Sequence, residues 1–196
     1  MTRTERYKVQ YFASIAGYAV IAAILLWQFG LKPTTIIFVA LLLFVPGRVH
    51  GFLWRDLYTG RRLLESGSFG TSITASKQFI QRVESKPWLR KLWWLQGAIY
   101  TRDPVAMALN NVGAAKLELR QLDDARQAFS EAISLDSGYA APHFNLAMIA
   151  SLEKDEAEAK HRLDRAAALG YSQSTIDNFV KNAGSILARF EGASGS

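Results

Sequence analysis

The stretch ALNNVGAAKLELRQLDDARQAFSEAISLDS, Ala108 to Ser137, decides the fold. Its apolar residues follow helical spacing in each of two halves, which predicts a helix–turn–helix. Gly113, Ala125 and Ala132 are small enough to let two helices approach closely, and Leu109, Val112, Leu122, Phe129 and Leu135 fill the space between them. The pattern then returns. Shifted by 34 residues, Asn111 falls on Asn145, Val112 on Leu146, Gly113 on Ala147, Ala125 on Ala159, Ala132 on Ala166 and Leu135 on Leu169. A fixed period of this size is the signature of stacked helical pairs.

Over residues 106–171 this spacing resembles the tetratricopeptide repeat, a helix–turn–helix of 34 residues. The matching positions are Gly113, Ala125, Phe129 and Ala132 in one copy, and Leu146, Ala147, Ala159, Leu163 and Ala166 in the next. Lys116, Ser137, His143 and Ala150 depart from the family's pattern. The resemblance implies an α-solenoid whose first helices line a concave groove. The clamps by which such repeats grip a terminal carboxylate are basic, whereas the corresponding positions here are Asn110, Ala114, Ala141 and Asn145. That form of binding is therefore not expected.

On either side the pattern weakens. Residues 55–105 are expected to hold a degenerate helical pair, with Gly60 and Phe79 at packing positions and a turn near Gly67, followed by a Trp-rich helix. Trp88, Leu89, Leu92, Trp93, Leu95, Ile99 and Tyr100 would share one face of that helix, with Trp94 opposite. Residues 172–190 are expected to form a capping helix with Asp177, Asn178, Lys181 and Asn182 toward water, and 191–196 a flexible tail.

The front of the chain has a different character. Tyr11 to Phe29 carries no charge, and a second apolar run starts at Thr34 beyond the turn at Gly30–Pro33. Their lengths predict a two-helix transmembrane hairpin over residues 1–54, with helices at about 11–29 and 34–54. Arg48 would snorkel to the headgroups and Trp54 would lie in the interfacial belt. Arg3, Arg6 and Lys8 precede the hairpin, and Arg48, Arg55, Arg61 and Arg62 follow it, against Lys32 alone in the turn. That asymmetry predicts a two-pass integral membrane protein with both termini cytoplasmic, as in a bacterial inner membrane.

Chemistry is harder to find. The chain has no cysteine, which excludes disulfides, thiolate metal sites and cysteine nucleophiles. Its three histidines form no HExxH pattern, and neither a phosphate loop nor a nucleophile elbow occurs. No enzyme activity, metal or cofactor is expected. A net charge of +6 without a basic stripe gives no case for nucleic acid.

The expected function is that of a membrane-anchored scaffold or adaptor that binds partner proteins, as an assembly factor or accessory subunit of a membrane complex. Met107, Asn110, Asn111, Phe144, Asn145 and Met148 are the candidate groove residues, the amides offering both donors and acceptors to a partner peptide or helix. Arg48, Trp54, Trp88 and Trp94 are candidate anchors at the lipid bilayer or in a protein interface. Two alternatives stand beside this reading: a structural subunit whose hairpin packs in a larger membrane complex, and a self-associating homo-oligomer.

Overall fold

A computed structural model describes residues 3–96 and 100–192, and among them the chain is all-α, with no strand. In chain order the helices are α1 (Arg3–Phe29), α2 (Pro33–Leu53), α3 (Arg55–Glu65), α4 (Phe69–Ser85), a 3-10 segment (Pro87–Gln96), α5 (Pro104–Glu118), α6 (Leu122–Leu135), α7 (Ala140–Leu152), α8 (Glu156–Ala168) and α9 (Gln173–Gly192).

The helix ends follow from local chemistry. Asp103 caps α5 by accepting the Val105 N–H at 2.8 Å, and Pro104 in the first turn has no N–H to leave unsatisfied. Asp155 caps α8 through the Glu158 N–H at 3.0 Å. The helices α3, α5, α7 and α8 are each followed by a residue of positive φ, at Gly67 (78°), Arg120 (65°), Lys154 (63°) and Gly170 (92°). The next N–H in each case reaches back into the last turn: Ser68 to the Leu63 carbonyl, Gln121 to Lys116, Asp155 to Ala150 and Tyr171 to Ala166, at 2.8–3.0 Å. This is the Schellman closure. Arg120 and Lys154 stand one 34-residue period apart, so the repeat seen in side chains is also a repeat of backbone conformation.

Packing runs from neighbour to neighbour. Trp54, Leu57, Phe79, Val83, Leu89, Val105 and Ala108 tie α3, α4 and the 3-10 segment to α5. Leu117, Ala125, Phe129, Leu146 and Ile149 join α5 and α6 to α7. Phe144, Ala166, Ile176 and Phe179 join α7 and α8 to α9. Polar links follow the same order: Asp56 pairs with Arg82 across α3 and α4, and Arg126 of α6 pairs with Glu153 beyond α7. The result is a solenoid-like stack in which α3, α5 and α7, the first helices of successive pairs, adjoin one another, with α9 against α7.

Three expectations are corrected. Among the described residues, no helix is long and apolar enough to cross a membrane. That overturns the two-pass integral placement, and with it the membrane hairpin and the cytoplasmic assignment of both termini. The uncharged run of α2 extends only about 14 residues, Thr34 to Gly47, against the roughly 20 that a span requires. The two helices form a hairpin with exposed apolar side chains, Trp27 at 87% and Phe38 at 72% among them. Second, Trp54 is not at an interface: it is fully buried, its ring 5.4 Å from that of Phe79. Third, the Trp-rich segment is a 3-10 helix over Pro87–Gln96 and not an α-helix. Leu89 enters the core while Trp88 and Tyr100 remain exposed. The side chain of Trp94, like those of residues 92–99 generally, lies outside the described residues. So does the tail at 193–196, while α9 itself continues to Gly192.

Candidate functional site

A cavity of about 430 Å³ opens where the first helices meet. Arg61, Leu64 and Glu65 reach it from α3, Met107, Asn110 and Asn111 from α5, Ala140, Ala141 and Asn145 from α7, and Thr175 from α9. Tyr100, Tyr139 and Tyr171, which lie in the connections between helices, complete it. Helical period explains the α5 contribution, because residues three and four apart share a face and so Met107, Asn110 and Asn111 point the same way.

The amides are not equivalent. Asn145 Nδ2 donates to Asn110 Oδ1 at 3.0 Å, so these two side chains tie α7 to α5. Asn111 is only 5% exposed, and its Nδ2 has no hydrogen-bond partner. A buried donor left unpaired is costly, and native structures contain few of them.

The walls are held by polar contacts of their own. Asp136, buried at the end of α6, accepts from the Thr101 hydroxyl at 2.7 Å, the Arg102 N–H at 3.2 Å and the Gly138 N–H at 3.1 Å. This carboxylate fixes the approach to α5 against the α6–α7 turn, the two connections that carry Tyr100 and Tyr139. Tyr171 stacks on Phe144 with ring centroids 4.6 Å apart, and Phe179 meets Phe144 edge-on at 5.5 Å.

Charge in the cavity is internally compensated. Arg61 Nε donates to Glu65 Oε1 at 2.9 Å, a bond that raises the guanidinium's already high pKa. Burial pushes the Tyr139 hydroxyl far above its ordinary range and raises that of Tyr171, so both stay neutral.

Of the six groove residues expected from sequence, Met107, Asn110, Asn111 and Asn145 share this cavity. Met148 lines an adjoining cavity of about 320 Å³ together with Leu64, Glu65, Phe69, Leu117 and Asn145. Phe144 is buried behind Tyr171 and lines neither. Of the expected anchors, Arg48 and Trp88 are exposed and distant in sequence from the cavity walls, and Trp54 is core. Sequence reasoning missed Arg61, Glu65 and the three tyrosines. The only advance signal for the first two was their i,i+4 spacing on α3, which reads as a surface ion pair.

No group of His, Asp and Glu among the described residues could hold a metal ion. Comparison of the chain with protein-family models, with curated proteins and with solved structures finds no match in any of the three.

Proposed function

We propose that this chain is a helical-repeat scaffold, of the tetratricopeptide type, which binds a partner protein in the cavity between α3, α5 and α7. The observation that carries this reading is the convergence of first-helix side chains from successive pairs on one cavity of mixed apolar and amide lining. Its volume lies within the range typical of ligand sites. The 34-residue recurrence of both side chains and positive-φ turns supports the repeat assignment. The role is recognition; no group in the cavity is placed as a nucleophile beside a base.

A photo-crosslinking residue at Met107, with a matched one at the exposed Glu131 on α6, tests the reading in the host cell. Position 107 should capture one defined protein, and Asn145→Ala should weaken that capture. Equal capture from both positions, or none from 107, rules the groove out.

Self-association is a second reading, favoured by the exposed Phe12, Val20, Trp27, Phe38 and Phe44 of the α1–α2 hairpin. Light scattering on the purified chain checks it: a mass that stays at one copy across concentration would remove it.

A further inference from the structure

One face of the α1–α2 hairpin is shaped as well as apolar. α1 packs against α2, and the buried residues of the two helices are Ala22 on α1 and Val39 on α2. At about 100° per residue, the side of α1 opposite Ala22 holds Ala13, Gly17, Val20, Ile24 and Trp27 within an arc of about 80°. All five are exposed, and Trp27 is the most exposed large apolar side chain among the described residues. They follow one another at intervals of four, three, four and three residues, the seam by which one helix packs along another.

The seam is graded. Its first half is small, Ala13 and Gly17 with Ala16 beside them, and its second half is large, Ile24 and Trp27. A two-fold axis through Val20 that runs two copies of α1 antiparallel sets Ala16 opposite Ile24 and Ala13 opposite Trp27, so the bulk of each copy enters the hollow of the other. A parallel pair would set Trp27 on Trp27 and join the basic starts of α1, with Arg3, Arg6 and Lys8 in each. The antiparallel pair holds those ends about 40 Å apart, several screening lengths at physiological salt. Gly17 fits the same account. Nothing lies within 4 Å of a Cβ built there, so the chain's own packing does not require a glycine, which weakens a helix interior. A second helix crossing closely does. The area also suffices. Val20, Ile21, Ile24 and Trp27 leave about half or more of their surface uncovered, and with the small residues they offer on the order of 600 Å² per copy. A pair would then bury about 1,200 Å², within the range of stable interfaces.

We propose that the chain pairs with a second copy of itself through α1, antiparallel, with Val20 on the two-fold axis and Trp27 of each copy seated on Ala13 of the other. This rests on the self-association reading above and names its interface. No residue of α1 lines either cavity, so the contact makes the scaffold bivalent without occupying its groove.

The chain has no cysteine, so single introduced cysteines report the pairing directly. Light scattering on the purified full chain should give two copies. Gly17→Leu, which fills the hollow, should raise the dissociation constant at least tenfold while the far-UV spectrum stays helical. A disulfide needs Cα atoms within about 7 Å of one another. Under mild copper-catalysed oxidation, Val20→Cys should therefore form a linked dimer by itself, whereas Ala16→Cys and Ile24→Cys should each stay unlinked alone and link when mixed. A dimer in which Ile24→Cys links to itself is parallel, and it overturns this interface while self-association stands. So does a dimer that Val20→Cys fails to link or that Gly17→Leu leaves unchanged. A chain that stays at one copy removes both readings, and its uptake by phosphatidylglycerol vesicles would assign the exposed face to lipid.

Discussion

Gly113 offers the most direct test of how the repeats are packed. An ideal Cβ built there lies 2.5, 2.7 and 2.9 Å from Cε1, Cδ1 and Cζ of Phe129. Carbon atoms rest at about 3.5–4.0 Å, so a methyl group overlaps three ring atoms by roughly 1 Å. The ring has no room to retreat. Phe129 is fully buried, with Leu117, Ala125, Leu146 and Ile149 around it. Overpacking of this kind costs about 1–3 kcal/mol, and a clash with a whole ring edge belongs at the upper end. Replacing a helix-interior glycine by alanine returns about 1 kcal/mol. Gly113→Ala should therefore lose about 2 kcal/mol, or about 4–8 °C in melting temperature for a chain of this size. Thermal unfolding by far-UV circular dichroism reads it. Gly184 on α9 is the control, because a Cβ there meets nothing within 4 Å, and Gly184→Ala should gain up to about 1 kcal/mol. Adding Phe129→Leu to Gly113→Ala should cost less than Phe129→Leu alone, since the smaller side chain relieves the overlap. If Gly113→Ala is as stabilising as Gly184→Ala, the close approach of α5 and α6 is wrong.

Other outcomes follow from the same structure. His143 is buried on α7, and burial, aided by Arg162, Arg165 and His161 and opposed by the backbone at Ser137, lowers its pKa from 6.5 to about 4. The unfolded chain therefore binds this proton at a higher pH than the native one. Stability is full above about pH 6.5, declines as the pH falls toward 4, and is then lower by about 3 kcal/mol. Denaturant melts at stepped pH should show this slope in the natural chain and not in His143→Leu; identical profiles would remove the titration. Asp136→Ala strands the buried Thr101 hydroxyl and two backbone N–H groups, and should cost about 3 kcal/mol in urea melts, with a loss of under 1 kcal/mol counting against the network. Lys154, at φ 63°, occupies a conformation that glycine adopts freely, so Lys154→Gly should gain about 1 kcal/mol. A loss there would show that the side chain does more than hold the turn.

Much of the repeat region was legible because its signal is local. Helical period placed Met107, Asn110 and Asn111 on one face of α5, and the 34-residue offset placed Asn145 at the equivalent point of α7. Those four residues line the cavity. Phe144 shows where local reasoning stops. Its spacing allows it to face the groove, but Tyr171, at the last position of the repeats, and Phe179, beyond them, enclose it. The front of the chain shows the opposite error. Apolar character over residues 11–29 and 34–54 predicts a membrane span, yet among the described residues no helix is long and apolar enough to cross a membrane.

By itself, then, the sequence determined the repeat helices and the groove face of α5, since these depend on contacts within three or four residues and on a period that recurs. Only the tertiary structure decided which faces meet. It brought Arg61 and Glu65 from α3 and three tyrosines from separate connections around the amides of α5 and α7, buried Trp54 beside Phe79, and left Asn111 with a donor unpaired. Burial and pairing are properties of neighbours distant along the chain, and no window of sequence contains them.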